Sequence, residues 1–251
     1  AKNTMFGMVE DSVHNTWIGT NNGLYRYDIK ADSFTLFLSA APLCATKNEL
    51  ISFALPDSII SFNTNSFTNK IVTRLTSTDS VAGRLSVFSP FFDERTNSLW
   101  MLRSTADNNG WHGSGLMQLS LTTGEKKYYN WNCYKNIPGH DHSAEAMCYD
   151  RKRNCLWINS AEGLMQFTLD DHQFHYIGAL NSFFNAKDYN RWVGICIDLQ
   201  GRVWLATRPK GIVIYDPSDQ SVTFPFTDGT ALQKEISENN AILYCDEGGI
   251  I

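Results

Sequence analysis

Asp11-Ser12-Val13-His14-Asn15-Thr16-Trp17-Ile18-Gly19-Thr20-Asn21-Asn22-Gly23-Leu24-Tyr25-Arg26-Tyr27-Asp28 decides the fold, because the chain repeats it. A second copy runs from Asp93 through Leu99-Trp100 to Gly115-Leu116. A third runs through Asp150, Leu156-Trp157, Gly163-Leu164 and Phe167. A fourth runs through Asp198, Val203-Trp204, Gly211-Ile212 and Tyr215-Asp216. Each begins with Asp and a short polar turn, continues through an apolar residue with Trp to a second turn ending in Gly, and closes on another apolar run. Self-similarity of this kind marks a repeat architecture and outranks any domain count taken from length.

A degenerate copy fills the gap between the first two. Lys47-Asn48-Glu49-Leu50-Ile51 aligns with His14-Asn15-Thr16-Trp17-Ile18, so Leu50 stands for the Trp and Ser58 for the Gly. A further copy starts at Asp246-Glu247-Gly248-Gly249-Ile250-Ile251 and stops one residue before the next Trp would fall.

Within a repeat, Val, Ile, Phe, Tyr and Trp crowd short runs bounded by Asn, Asp and Gly, the composition of strands and turns. The first copy predicts strands over 5–10, 16–20, 24–28 and 34–38. Runs such as Ile212-Val213-Ile214-Tyr215 are apolar on both faces, whereas an antiparallel sheet with one wet face alternates. Four-stranded sheets stacked face to face around an axis cover both sides. The expected fold is therefore an all-β propeller with antiparallel blades near 5–38, 43–75, 84–130, 144–177 and 191–226, and the start of another over 241–251. A β-sandwich also has many short strands, but it does not predict a four-strand period with one Trp each.

Alternation of strand direction places the second-to-third connection and the exit of the fourth strand at one end of each blade. The other end holds short, uniform turns carrying Asp11, Asp93, Asp150 and Asp198, whose recurrence reads as structural. The insertions 76–83, 103–114, 130–143, 178–190 and 227–239 all fall at the first end. Long loops on a rigid scaffold carry function. In and beside them lie Trp111, His112, Trp131, Tyr134, Tyr189, Arg191, Trp192, Arg208 and Lys210. Flat apolar faces beside polar donors suit sugar rings and their hydroxyls, so these nine are the candidate ligand-binding residues; the plainer reading is that they roof the adjacent blades.

Net charge is −5 with 19% charged residues and no basic stripe, so nucleic acid is not an expected partner. No P-loop, GxSxG, HExxH or GxGxxG occurs, and no catalytic residue or cofactor is assigned. His140-Asp141-His142 has metal-ligand chemistry without an evident third ligand, so no metal site is assigned. An acid–base enzyme in the axial pocket would have to draw on Asp107, His112, His140 and Glu145. Six cysteines lie at 44, 133, 148, 155, 196 and 245 with no CxxC pair. Cys148 and Cys196, two residues before the repeat Asp, read as small buried hydrophobes.

The unit Trp17-Ile18-Gly19-Thr20, Asn22-Gly23-Leu24, Tyr27-Asp28 resembles the two-component regulator propeller repeat. Cys155-Leu156-Trp157-Ile158-Asn159-Ser160 and Val203-Trp204-Leu205-Ala206-Thr207 match it less fully. The resemblance implies the periplasmic sensor of a Bacteroides-type hybrid histidine kinase, in which seven-bladed propellers precede an immunoglobulin-like domain, a membrane helix and the kinase, and the ligand is often an oligosaccharide. Its implied partners are an oligosaccharide, further propeller blades and the kinase modules of the same parent chain. Five repeats against seven make this chain read as an arc, and its uncovered sheet faces predict self-association. A lyase or hydrolase and a protein-interaction scaffold are the competing functions.

Overall fold

The computed structural model describes residues 5–20, 22–39, 41–46, 49–54, 58–75, 84–107, 110–130, 144–160, 163–183, 192–207, 211–226, 243 and 245. They form twenty strands in five four-stranded antiparallel sheets. The first sheet holds β1 (Met5–Glu10), β2 (Thr16–Thr20), β3 (Gly23–Asp28) and β4 (Ser33–Leu38). The second holds β5 (Ala41–Ala45), β6 (Glu49–Ala54), β7 (Ser58–Asn63) and β8 (Thr68–Arg74). The third holds β9 (Arg84–Asp93), β10 (Ser98–Asp107), β11 (Gly110–Ser120) and β12 (Lys126–Tyr129). The fourth holds β13 (Ala144–Asp150), β14 (Cys155–Ser160), β15 (Gly163–Thr168) and β16 (Phe174–Tyr176). The fifth holds β17 (Trp192–Ile197), β18 (Val203–Thr207), β19 (Gly211–Asp216) and β20 (Ser221–Thr223). In every sheet the strands neighbour in chain order, as an up-and-down meander requires.

The chain divides into two compact units. One comprises residues 1–101 and 117–127, the other 102–116 and 128–251, so the division passes through the third sheet. In the first unit, Trp17 and Leu24 of the first sheet meet Leu50 and Phe62 of the second, with the Trp17 and Phe62 rings edge to face at 5.4 Å. The second sheet turns Ile51 and Ile59 to Leu99, Met101, Met117 and Leu119. In the second unit, Cys155, Trp157 and Leu164 meet Ile195, Val203, Leu205, Val213 and Tyr215. Each interface joins the Trp-bearing face of one sheet to the opposite face of the next, which explains strands apolar on both sides.

Register shows that three module tryptophans are equivalent. Trp17 lies between Val9 and Arg26, Trp157 between Cys148 and Gln166, and Trp204 between Cys196 and Ile214. The second repeat departs from the sequence expectation. Leu50 pairs with Phe62, as Thr16 pairs with Tyr27, so Ile51 and not Leu50 stands at the Trp position. A one-residue slip moves a strand residue to the other face. Leu50 accordingly faces the first sheet and Ile51 the third.

The Asp of each repeat closes the turn before the Trp strand. Asp11 Oδ1 accepts the backbone N–H groups of Val13 and Asn15 at 3.0 and 2.9 Å, and Oδ2 accepts Asn15 Nδ2–H and the Trp17 indole N–H at 2.9 and 2.8 Å. Asp150 takes the Trp157 indole at 3.1 Å and Asp198 that of Trp204 at 2.8 Å. Asp93 instead accepts Arg95 and Thr96. The left-handed residue each turn needs is His14, Asn97, Asn154 or Gly201; Asn and Gly tolerate it best.

The repeat glycine of the third strand has a steric reason. At Gly115 (φ +129) a Cβ would lie 2.1 Å from the Tyr129 carbonyl oxygen. At Gly23 (φ +138) it would lie 2.6 Å from that of Leu38. The end of the fourth strand passes too close for a side chain.

Candidate functional site at the variable ends of the sheets

The two ends of the sheets differ in construction. At the Asp-turn end of the second unit, Arg153 Nη1 donates to Asp150 Oδ2 at 2.7 Å and to the Gly201 carbonyl at 2.9 Å. This staples the first turn of the fourth sheet to that of the fifth. Short turns and carboxylate-held backbone make this end scaffold.

At the other end the hydroxyl of the Trp-x-x-Ser/Thr signature closes the second-to-third hairpin. Thr20, Ser160 and Thr207 donate to the carbonyls of Gly23, Gly163 and Gly211 at 3.3, 3.0 and 3.0 Å. Sequence spacing showed the Ser/Thr but not its partner. The third repeat puts Arg103 in that slot. It is buried, its Nη2–H donates to Asn130 Oδ1 at 3.0 Å, and its guanidinium lies 4.7 Å from the centre of the Tyr128 ring. Arg103 thus ties β10 to the residue that leads into the longest insertion. A guanidinium stays charged at any working pH and presents a fixed fork of donors. Its substitution for the hairpin hydroxyl is the sequence signal, masked by the Asn- and Gly-rich stretch that follows Arg103.

That loop is corrected by the structure. Residues 103–114 are mostly ladder: β10 continues to Asp107 and β11 starts at Gly110. The glycines and asparagines of the segment suggested irregular chain, yet extended backbone with cross-strand pairing accepts them. Of the 178–190 segment, Gly178–Phe183 forms a 3-10 helix, whose Leu180 is buried in the core between the fourth and fifth sheets.

Where the first strands of the first, second, fourth and fifth sheets enter from this end, their pairing slips by one residue: between Met5 and Gly7, Pro42 and Cys44, Ala144 and Ala146, and Trp192 and Gly194. Such bulges gather at rims and beside binding sites, where they re-aim side chains. Asn159, fully buried, holds two of them. Its Oδ1 accepts the Ala146 N–H at 2.9 Å, and its Nδ2–H reaches the Gly194 carbonyl at 3.5 Å.

Trp111 and His112 lie in β11, and Trp192 opens β17 at a bulge; these placements are of backbone. Asp107 ends β10 and Glu145 sits at the bulge of β13, likewise by backbone. Trp131, Tyr134, Tyr189, Arg191, Arg208, Lys210, His140 and His142 lie outside the described residues. So does the expected blade start at 246–251. Among the described residues no group of three or more His, Cys, Asp or Glu is placed to hold a metal ion, and no helix is long and apolar enough to cross a membrane.

Four cysteines, 148, 155, 196 and 245, are free thiols. Desolvation pushes the Cys155 thiol up to about 11 and that of Cys196 to about 12. Burial raises Cys148 as well, with Cys196 nearby. Cys148 and Cys196 pack as small hydrophobes, as their strand context suggested.

The chain was compared with known proteins. No family model matches, and no curated protein matches. Solved structures do match over almost the whole chain. The extracellular domain of a putative hybrid two component system, BT4673, from B. thetaiotaomicron aligns at 15% identity and TM-score 0.51, over 98% of this chain and 36% of that one. Virginiamycin B lyase from Staphylococcus aureus aligns at 15% identity and TM-score 0.61, over 91% and 71%. PorZ, a surface component of the type-IX secretion system of Porphyromonas gingivalis, aligns at 17% and 0.62, over 93% and 35%. The chain folds as a β-propeller. At such identities the likeness carries the fold alone, and this propeller spans little more than a third of the BT4673 domain.

Proposed function

We propose that this propeller is the non-catalytic sensor of a hybrid two-component histidine kinase, periplasmic in location, which binds an oligosaccharide at the variable sheet ends. The observation that carries the reading is the asymmetry of the sheets. One end is stapled by Asp-held turns and by Arg153. The other combines bulged entries, a long β10–β11 hairpin with Trp111 and His112, and Arg103 at the root of an insertion containing Trp131 and Tyr134. Rigid support beneath variable aromatic segments is the build of a recognition surface. The repeat resemblance and the alignment to an extracellular two-component domain support the signalling role. Ligand binding would bias the parent receptor between two states read by further blades and kinase modules.

A lyase is the second reading, favoured by the alignment to virginiamycin B lyase, with Asp107, His112, His140 and Glu145 as its acid–base candidates. One experiment separates the two. The protein is mixed with a panel of plant and host oligosaccharides while melting temperature and product formation are both recorded. A melting shift without turnover is expected. Turnover identifies an enzyme, and neither response overturns the sugar reading. Trp131→Ala and Trp192→Ala are expected to abolish the shift while leaving the unliganded melting temperature unchanged.

A further inference from the structure

One fully buried side chain departs from the repeat. The residue two places after the module Trp is Gly19, Leu102 and Ala206 in the first, third and fifth repeats. In the fourth it is Asn159, which is 0% exposed. Packing does not ask for an amide there, since Ala206 and Leu102 are equally sealed in the matching places. Burying an amide costs free energy unless its polar atoms find partners.

Both partners of Asn159 lie at strand entries. Its Oδ1 accepts the N–H of Ala146 at 2.9 Å, just after Glu145, the residue that the pairing of β13 skips. Its Nδ2–H donates to the carbonyl of Gly194 at 3.5 Å, just after Val193, the residue that the pairing of β17 skips. Strands β13 and β17 lie side by side where the fourth and fifth sheets meet. Their entries receive the chain from two different insertions, 130–143 and 184–191. One amide therefore holds both places where these insertions rejoin the scaffold. The slip itself does not require it, because the first sheet has the same slip with Gly19 across from it.

We infer, on the reading of the variable ends as the ligand-binding face, that Asn159 is its positioning residue: it sets the spacing of the two insertions so that they act as one recognition surface. An apolar residue would fill the space and let each entry settle by itself. The amide instead makes the place of Gly194 depend on that of Ala146. A buried polar group with its partners met favours one geometry over its neighbours, and support of this kind beneath a site keeps the groups above it in register.

Asn159→Leu, the residue of the third repeat, removes both bonds and keeps the strand apolar. Val213→Ala, in the same core, is the control for lost stability. Amide hydrogen exchange is followed without ligand in peptides covering 144–150 and 192–197. Both are expected to exchange about tenfold faster in Asn159→Leu, and neither to outpace the rest of the chain in Val213→Ala. Faster exchange at one entry alone, at neither, or equally in Val213→Ala would overturn the proposal. The oligosaccharide panel supplies the second readout. A sugar that raises the wild-type melting temperature is expected to bind Asn159→Leu about tenfold more weakly and Val213→Ala as it binds wild type. Unchanged affinity in Asn159→Leu would refute the positioning role and leave the sugar reading standing. If no sugar binds the wild type, the sugar reading falls and hydrogen exchange alone decides the role of Asn159. Should Asn159→Leu not fold, Asn159→Ala, the residue of the fifth repeat, is read by the same criteria.

Discussion

Removing Asp11 tests whether the repeat carboxylate does more than shape its turn. Asp11→Ala deletes four hydrogen bonds: two from the backbone, one from the Asn15 amide and one from the Trp17 indole. The first three donors are part-buried and recover water. The indole N–H belongs to a fully buried ring and does not. An unmet buried donor costs about 1–3 kcal/mol, and lost bonds to a charged acceptor add to it, giving a total of about 2–4 kcal/mol. The assay is urea unfolding at pH 7 of wild type, Asp11→Ala, Trp17→Phe and the double variant. In the Trp17→Phe background the Asp11→Ala cost is expected to fall by about 1–3 kcal/mol, because the indole donor is already gone. Asp93→Ala is the comparison. Its Arg95 partner is more than half exposed, so that pair is worth about 1 kcal/mol or less. A cost for Asp11→Ala equal to that for Asp93→Ala, or no coupling to Trp17, would refute the argument.

Acid should act through the same carboxylates. Burial alone would raise the pKa of Asp11 and Asp198, but the Trp17 and Trp204 indoles and the turn N–H groups outweigh it and hold both below the usual 3.8. A depressed folded-state value means their stabilisation is complete above that usual value and is lost as pH falls through the folded one. Melting temperature is therefore expected to be flat down to about pH 5 and to drop below about pH 4, less steeply in Asp11→Ala/Asp198→Ala. Gly115→Ala is expected to cost more than about 2 kcal/mol in chemical denaturation, since it combines a left-handed φ with a carbonyl clash. Gly178→Ala, where a Cβ meets nothing within 4 Å, should be near neutral. Thiol labelling of native Cys155 at pH 8 should be at least a hundredfold slower than in urea, because a pKa of about 11 leaves on the order of one thiolate in a thousand.

The repeat carried most of the fold into view. Trp17, Trp157 and Trp204 share a register position, and the strands predicted for the first copy match to within a residue at each end. Where the Trp was missing, the reading slipped. Leu50 and Ile51 are both large and apolar, and both faces of the strand are buried, so hydrophobicity could not choose between them. Only pairing to Phe62 does. The hairpin over 103–114 was hidden because Asn, Gly and Ser signal turns locally, while a ladder is set by what lies across from it. The site was less legible than the fold for a related reason. Asp11 announces itself by recurrence, but its bond to an indole six residues on is a tertiary event. Arg103 draws attention only when set against Thr20, Ser160 and Thr207.

The slipped pairs at the entry of the first strands have a bearing on how such a protein diversifies. One residue there has no opposite number, so the ladder tolerates a change in count at that point. Segments arriving from the insertions can lengthen, shorten or change character upstream of it. From Gly7, Ala146 and Gly194 onward the inward and outward parity of the strand is unchanged. Recognition can therefore drift while the stacked interior keeps its pattern.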